Sequence, residues 1–70
     1  MRFAVVLEKG PTSWGAYVPD LPGCVAAAET RDEAFSLIRE AIEFHIEGMR
    51  EDGEEIPTPH SEADYIEVRA

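Results

Sequence analysis

Residues 30–53 read TRDEAFSLIREAIEFHIEGMREDG, and this stretch decides the architecture. Thr30-Arg31-Asp32-Glu33 has the form of a capping box, in which the threonine hydroxyl takes the Glu33 amide and the Glu33 side chain reaches back to the cap amide. Asp32 and Glu33 also complement the positive end of a helix dipole. Gly53 is placed to end the helix as the left-handed residue beyond the cap. The spacing predicts a helix from Arg31 to about Asp52, a rod of about 33 Å. At about 100° per residue, Phe35, Ile38, Ile42, His45, Ile46 and Met49 form one apolar stripe. Leu37, Ala41, Phe44 and Gly48 form a second beside it. Together they span roughly 200°, well beyond the apolar arc of an ordinary surface helix. One stripe can cover a sheet, and the second predicts a further contact. Leu37, Ala41 and Phe44 are therefore candidate oligomer-interface residues.

Upstream of the helix the period changes to two. Arg2–Glu8 alternates, with Phe3, Val5 and Leu7 on one face and Ala4 and Val6 on the other. Both faces are apolar, as in a strand with neighbours on either side. Lys9–Ser13 is a loop by composition. Trp14–Val18 reads as a second strand, ended by Pro19 because proline cannot donate to the ladder. Leu21-Pro22-Gly23-Cys24 has the signature of a type II turn, with proline presetting φ and glycine supplying a positive φ. Val25–Glu29 is a short third strand. Downstream, Gly53–Ser61 is a proline-bearing loop, and Asp64–Arg69 reads as a fourth strand with Ile66 and Val68 on one face. The fold class is α+β: one domain over residues 1–70, in β-β-β-α-β order, a sheet with a helix on one face. A right-handed crossover gives the strand order 3-2-1-4. The other sheet face must be polar or meet another subunit, and Trp14, Tyr17 and Tyr65 are aromatic candidates for that contact.

Composition narrows the function classes. Fifteen acidic residues against 6 basic give a net charge of −9 in 70 residues. Such a surface repels phosphates, so direct nucleic-acid binding by this chain is not expected. A polybasic membrane contact fails for the same reason. The natural partner of an acidic surface is a basic one. One cysteine excludes an intrachain disulfide scaffold, and a domain this small commonly gains stability by oligomerising. No apolar run is long enough for a membrane span or the core of a signal peptide, which makes the cytoplasm the expected location.

At this point the chain resembles the HicB family of antitoxin domains. The resemblance is carried by Arg2–Lys9, by Trp14-Gly15-Ala16-Tyr17-Val18-Pro19-Asp20-Leu21-Pro22-Gly23-Cys24, by Thr30–Ala34 and Ala41–Glu43, and by Asp52-Gly53-Glu54-Glu55-Ile56-Pro57-Thr58-Pro59. It covers nearly the whole chain. It implies a partial ribonuclease-H-like fold and a role in a type II toxin–antitoxin system. The implied action is to bind a small basic mRNA-cleaving toxin, HicA-like, and to mask its active surface. Many family members carry a C-terminal DNA-binding domain, whereas this sequence stops after the expected fourth strand, so autonomous operator binding is not expected. The alternative is a self-assembling regulatory or scaffold domain without a toxin partner; either reading allows a homodimer or tetramer.

Candidate binding residues are the motif Pro19, Asp20, Leu21, Pro22, Gly23 and Cys24, either a fixed turn or a rigid recognition loop, with Asp20 expected to bond nearby backbone amides. Glu40, Glu43 and Glu47 form an acidic helix ridge, interrupted by Arg39 and Arg50, with Glu47–Arg50 pairing expected to offset Glu43–Glu47 repulsion. Catalysis is not expected. A two-metal nuclease needs converging carboxylates, and the first strand has none before Glu8, while the fourth offers only Asp64 and Glu67. Cys24 reads as a small buried hydrophobe rather than a nucleophile beside His45 or His60. His60, Glu62 and Asp64 form a loose cluster that reads as a solvated loop. No phosphate or dinucleotide fingerprint occurs, so neither cofactor nor metal is expected.

Overall fold

Alternation and turn chemistry place three short strands ahead of one long helix. The computed structural model describes residues 1–70. The elements are β1 (Val6–Lys9), β2 (Trp14–Tyr17), β3 (Val25–Ala28) and α1 (Arg31–Glu51). The strands form an antiparallel sheet in the order β1-β2-β3. Leu7 lies opposite Ala16 and Ala16 opposite Ala26, while Val6, Tyr17 and Val25 form the neighbouring row. Side chains alternate across a strand. The Leu7 row thus packs under α1, and the Val6–Tyr17–Val25 row occupies the uncovered face.

The core is small. Ala16, Val18, Leu21, Cys24 and Ile38 form its buried cluster, with Phe3, Val5, Leu7, Ala26, Ala41, Ile42 and Ile46 packed against it. Leu21 and Ile38 are its largest fully buried side chains. Ala34 is also fully buried, so the helix stripe centred on Ile38 is the one that meets the sheet.

Both helix ends follow the sequence, with one change. Thr30 is the N-cap in extended conformation, and its hydroxyl accepts from the Glu33 amide at 3.2 Å. The Glu33 carboxylate does not return to the cap amide; it accepts from that same hydroxyl at 2.9 Å. One hydroxyl thus serves as acceptor and donor, and the carboxylate remains near the positive helix end. At the other end Gly53 has φ +71°. The Glu54 amide donates to Met49 O at 2.8 Å and the Gly53 amide to Arg50 O at 3.2 Å, which is the Schellman arrangement.

Two expectations fail on the sheet. Residues 64–69 form no strand, so the observed order is β-β-β-α. A strand exists only as one side of a ladder, and here the segment stands free, with Tyr65, Ile66 and Val68 at 95%, 87% and 74% exposure. In consequence β1 is an edge rather than an interior strand, and it begins at Val6 instead of Arg2. Phe3, Ala4 and Val5 are half-buried but unpaired.

Candidate functional site

The Pro19–Cys24 motif divides between core and surface. Asp20, Leu21 and Cys24 are buried, whereas Pro19, Pro22 and Gly23 face solvent. Gly23 has φ +84°, and the Cys24 amide donates to Leu21 O at 3.1 Å. These are the marks of the expected type II turn. The Val18 amide donates to Cys24 O and the Leu21 amide to Val18 O, which ties the loop to the ends of β2 and β3.

Asp20 does not serve its own turn. Its carboxylate reaches across the chain to residues forty positions away. The His60 amide donates to Oδ2 at 2.9 Å and the Ser61 amide to the same oxygen at 2.8 Å. The Ser61 hydroxyl donates to Oδ1 at 2.7 Å, and His60 Nε2 stands 3.2 Å from Oδ1. The Ser61 hydroxyl, then the Ser61 and His60 amides, hold the Asp20 carboxyl below the usual carboxylate range; partial desolvation opposes them and the His60 ring adds a smaller lowering. Hydrogen bonds to the charged form produce that direction of shift. The motif therefore clamps the segment that follows the proline loop. His60 and Ser61 escape a sequence reading because no local signal links them to Asp20.

The acidic ridge lies on the side of α1 away from the sheet. At about 100° per residue, Glu40, Phe44, Glu47 and Glu51 share an arc of about 60° opposite Ile38. Phe44 is 81% exposed, and with Glu47, Gly48 and Glu51 it lines a shallow surface depression. An exposed aromatic ring is thus set among carboxylates. Glu43 sits at the margin of this arc and is exposed. Arg39 does not interrupt the ridge; its guanidinium lies 5.6 Å from the centre of the Phe35 ring. The expected Glu47–Arg50 pair does not form, and the contact between a basic ring and a carboxylate is His60 Nε2 to Asp20 Oδ1. Exposed pairs gain too little to hold two long side chains together. Leu37 is exposed, while Ala41 is half-buried against the core. Tyr17 is exposed on the uncovered sheet face, and Trp14 is half-buried at the opposite parity.

The remaining chemical candidates are dispersed. Cys24 is buried and its thiol is pushed up by that burial, which lowers the thiolate population nucleophilic attack requires. Asp64 accepts from the Tyr65 amide, His60 faces Asp20, and no three His, Cys, Asp or Glu side chains are grouped to hold a metal ion. No helix is long and apolar enough to cross a membrane.

Residues 3–69 match the family described as HicB-like antitoxin of bacterial toxin–antitoxin systems. An uncharacterised 14.9 kDa protein from the rep-hol intergenic region of Haemophilus phage HP1 is 44% identical over 66 residues, covering 94% of this chain and 50% of that protein. Antitoxin HicB 2 of Photorhabdus laumondii is 34% identical over 71 residues, covering 100% of this chain and 51% of the relative. A UPF0150 protein of Archaeoglobus fulgidus is 42% identical over 57 residues, covering 77% of this chain and 83% of its own. The chain spans about half the length of the phage and Photorhabdus relatives.

Proposed function

Since the chain belongs to the HicB-like antitoxin family of bacterial toxin–antitoxin systems, we propose that it neutralises a small basic mRNA-cleaving toxin, HicA-like, by binding and without catalysis. The supporting observation is Phe44, exposed among Glu40, Glu47 and Glu51 on the helix face remote from the core. An RNA-cleaving partner must present a basic surface to phosphate. The carboxylates steer that surface, and the aromatic ring supplies the buried anchor on which interface affinity concentrates. Glu43 and the exposed turn residues Pro19, Pro22 and Gly23 extend the contact. Toxin and antitoxin meet in the cytoplasm, where the messenger is. With a net charge of −9 over the whole chain, its surface repels nucleic-acid phosphates rather than binding them.

The test mixes the purified chain with a small basic mRNA-cleaving toxin of this class. A complex should form at low salt, weaken with ionic strength and suppress RNA cleavage. Phe44→Ala should weaken it about tenfold or more, and reversing Glu40, Glu43 and Glu47 to lysine should abolish it. No complex at low salt, where surface charges act most strongly, refutes the proposal.

Tyr17 and Val25, exposed beside the half-buried Val6 on the uncovered sheet face, favour a second reading. A self-assembling regulatory or scaffold domain would pair that face with another copy and need no toxin. Tyr17→Lys should then lower the mass seen by native mass spectrometry.

A further inference from the structure

We propose that residues 64–69 form the fourth strand of a second copy's sheet, adding to the outer edge of β1 and its N-terminal extension. The exchange is reciprocal and holds under either reading above.

Each copy carries a free edge that should not be free. Phe3, Val5 and Leu7 pack toward the helix side, and Ala4 and Val6 lie on the other face. A segment apolar on both faces has the composition of an interior strand. Here it has β2 on one side only. Between residues 3–5 and α1 lies a groove of about 330 Å³, lined by Phe3, Val5, Phe35, Ile38, Arg39 and Ile42. Phe35 is partly exposed there. The groove lies where inward side chains of a strand added to this edge would sit.

Each copy also carries a free strand. Ile66 and Val68 share one face of 64–69, and both are exposed. Six residues extend about 20 Å, the same run of backbone as residues 3–8. The chain does not fill its own groove. Asp20 fixes His60 and Ser61, Ser61, Glu62 and Ala63 lie across a cavity from residues 2–5, and every residue from Glu62 onward is exposed. The molecule measures 48 × 25 × 16 Å, elongated for its size. Two copies related by a two-fold axis satisfy both edges and both strands with identical contacts. Strand addition supplies the main-chain hydrogen bonds, and alternate side chains fill the groove. Ile66 and Val68 then meet Phe3, Val5 and Phe35, while Tyr65 joins the Val6–Tyr17 face.

Native mass spectrometry and light scattering of the full chain at micromolar concentration test this. The unaltered protein should be a dimer or a multiple of two. Ile66→Asp with Val68→Asp should give a monomer with unchanged helical circular dichroism, since neither side chain packs in the single copy. Phe35→Cys in one tagged copy, mixed with Ile66→Cys in a differently tagged copy, should give a disulfide joining the two tags on oxidation. A monomeric unaltered protein overturns the proposal. So does a dimer that survives the aspartate pair, or a dimer that never cross-links between tags.

Discussion

Replacing Leu21 by alanine should separate the structural from the recognition role of the Pro19–Cys24 motif. Leu21 is 1% exposed and belongs to the cluster of Ala16, Val18, Cys24 and Ile38. Three carbons leave a site that the fixed turn above it cannot collapse into. At about 0.8 kcal/mol per buried methylene the transfer loss is about 2.4 kcal/mol, and the residual cavity raises it toward 3–4 kcal/mol, inside the range for buried leucine truncation. Unfolding entropy of about 2.1 cal/mol/K per residue gives a chain of 70 residues about 0.15 kcal/mol/K. The melting temperature should then fall by roughly 20 °C. The assay is thermal unfolding followed by circular dichroism at 222 nm, at one fixed protein concentration because self-association shifts Tm. Pro22→Ala, at an exposed position of the same turn, should cost about 1 kcal/mol or less through unfolded-state entropy. A Leu21→Ala shift under about 7 °C, or one no larger than that of Pro22→Ala, would refute the assignment of Leu21 to the core.

The clamp and the turns give further tests. Asp20 has a depressed folded pKa, so its contribution is complete above the unfolded value of about 4 and is lost as pH falls through the lower folded value. Hydrogen exchange at the His60 and Ser61 amides should accelerate in that acid window, and Asp20→Asn should remove the dependence; the same acid response in the wild-type chain and in Asp20→Asn would contradict the clamp. Gly23→Ala places a methyl where nothing lies within 4 Å, so its cost should be purely conformational, about 1–2 kcal/mol; a much larger loss in denaturant titration would mean the turn is wrongly described. Thr30→Ala should cost about 1 kcal/mol, and Thr30→Ser should restore most of it. Native Cys24 should react with a thiol reagent only as fast as the protein opens, and a rate equal to that of free cysteine would show it exposed.

Local chemistry was legible wherever cause and effect lie within a few residues. The Thr30 cap, the Gly53 termination and the Pro22-Gly23 turn each depend on side chains next to the backbone they shape. The core-facing stripe around Ile38 followed from a period of 3.6 residues. Other features were not legible because their partners are distant or absent. Asp20 has the same propensities whether it bonds its own turn or residues forty positions away. Asp64–Arg69 has a strand's composition, but composition cannot supply the neighbouring ladder. Phe44 fell on an apolar stripe by angle, and only the packing shows that this ring stays exposed.

The sequence alone determined the three-strand meander, the helix and its ends, the tight turn and the acidic surface, because propensity, capping and charge are properties of nearby residues. The tertiary structure decided that β1 is an edge, that the Pro19–Cys24 turn clamps His60 and Ser61, and that the free strand and the open groove coexist in one chain. Those outcomes depend on which surfaces meet, and burial and hydrogen bonding across long separations settle that.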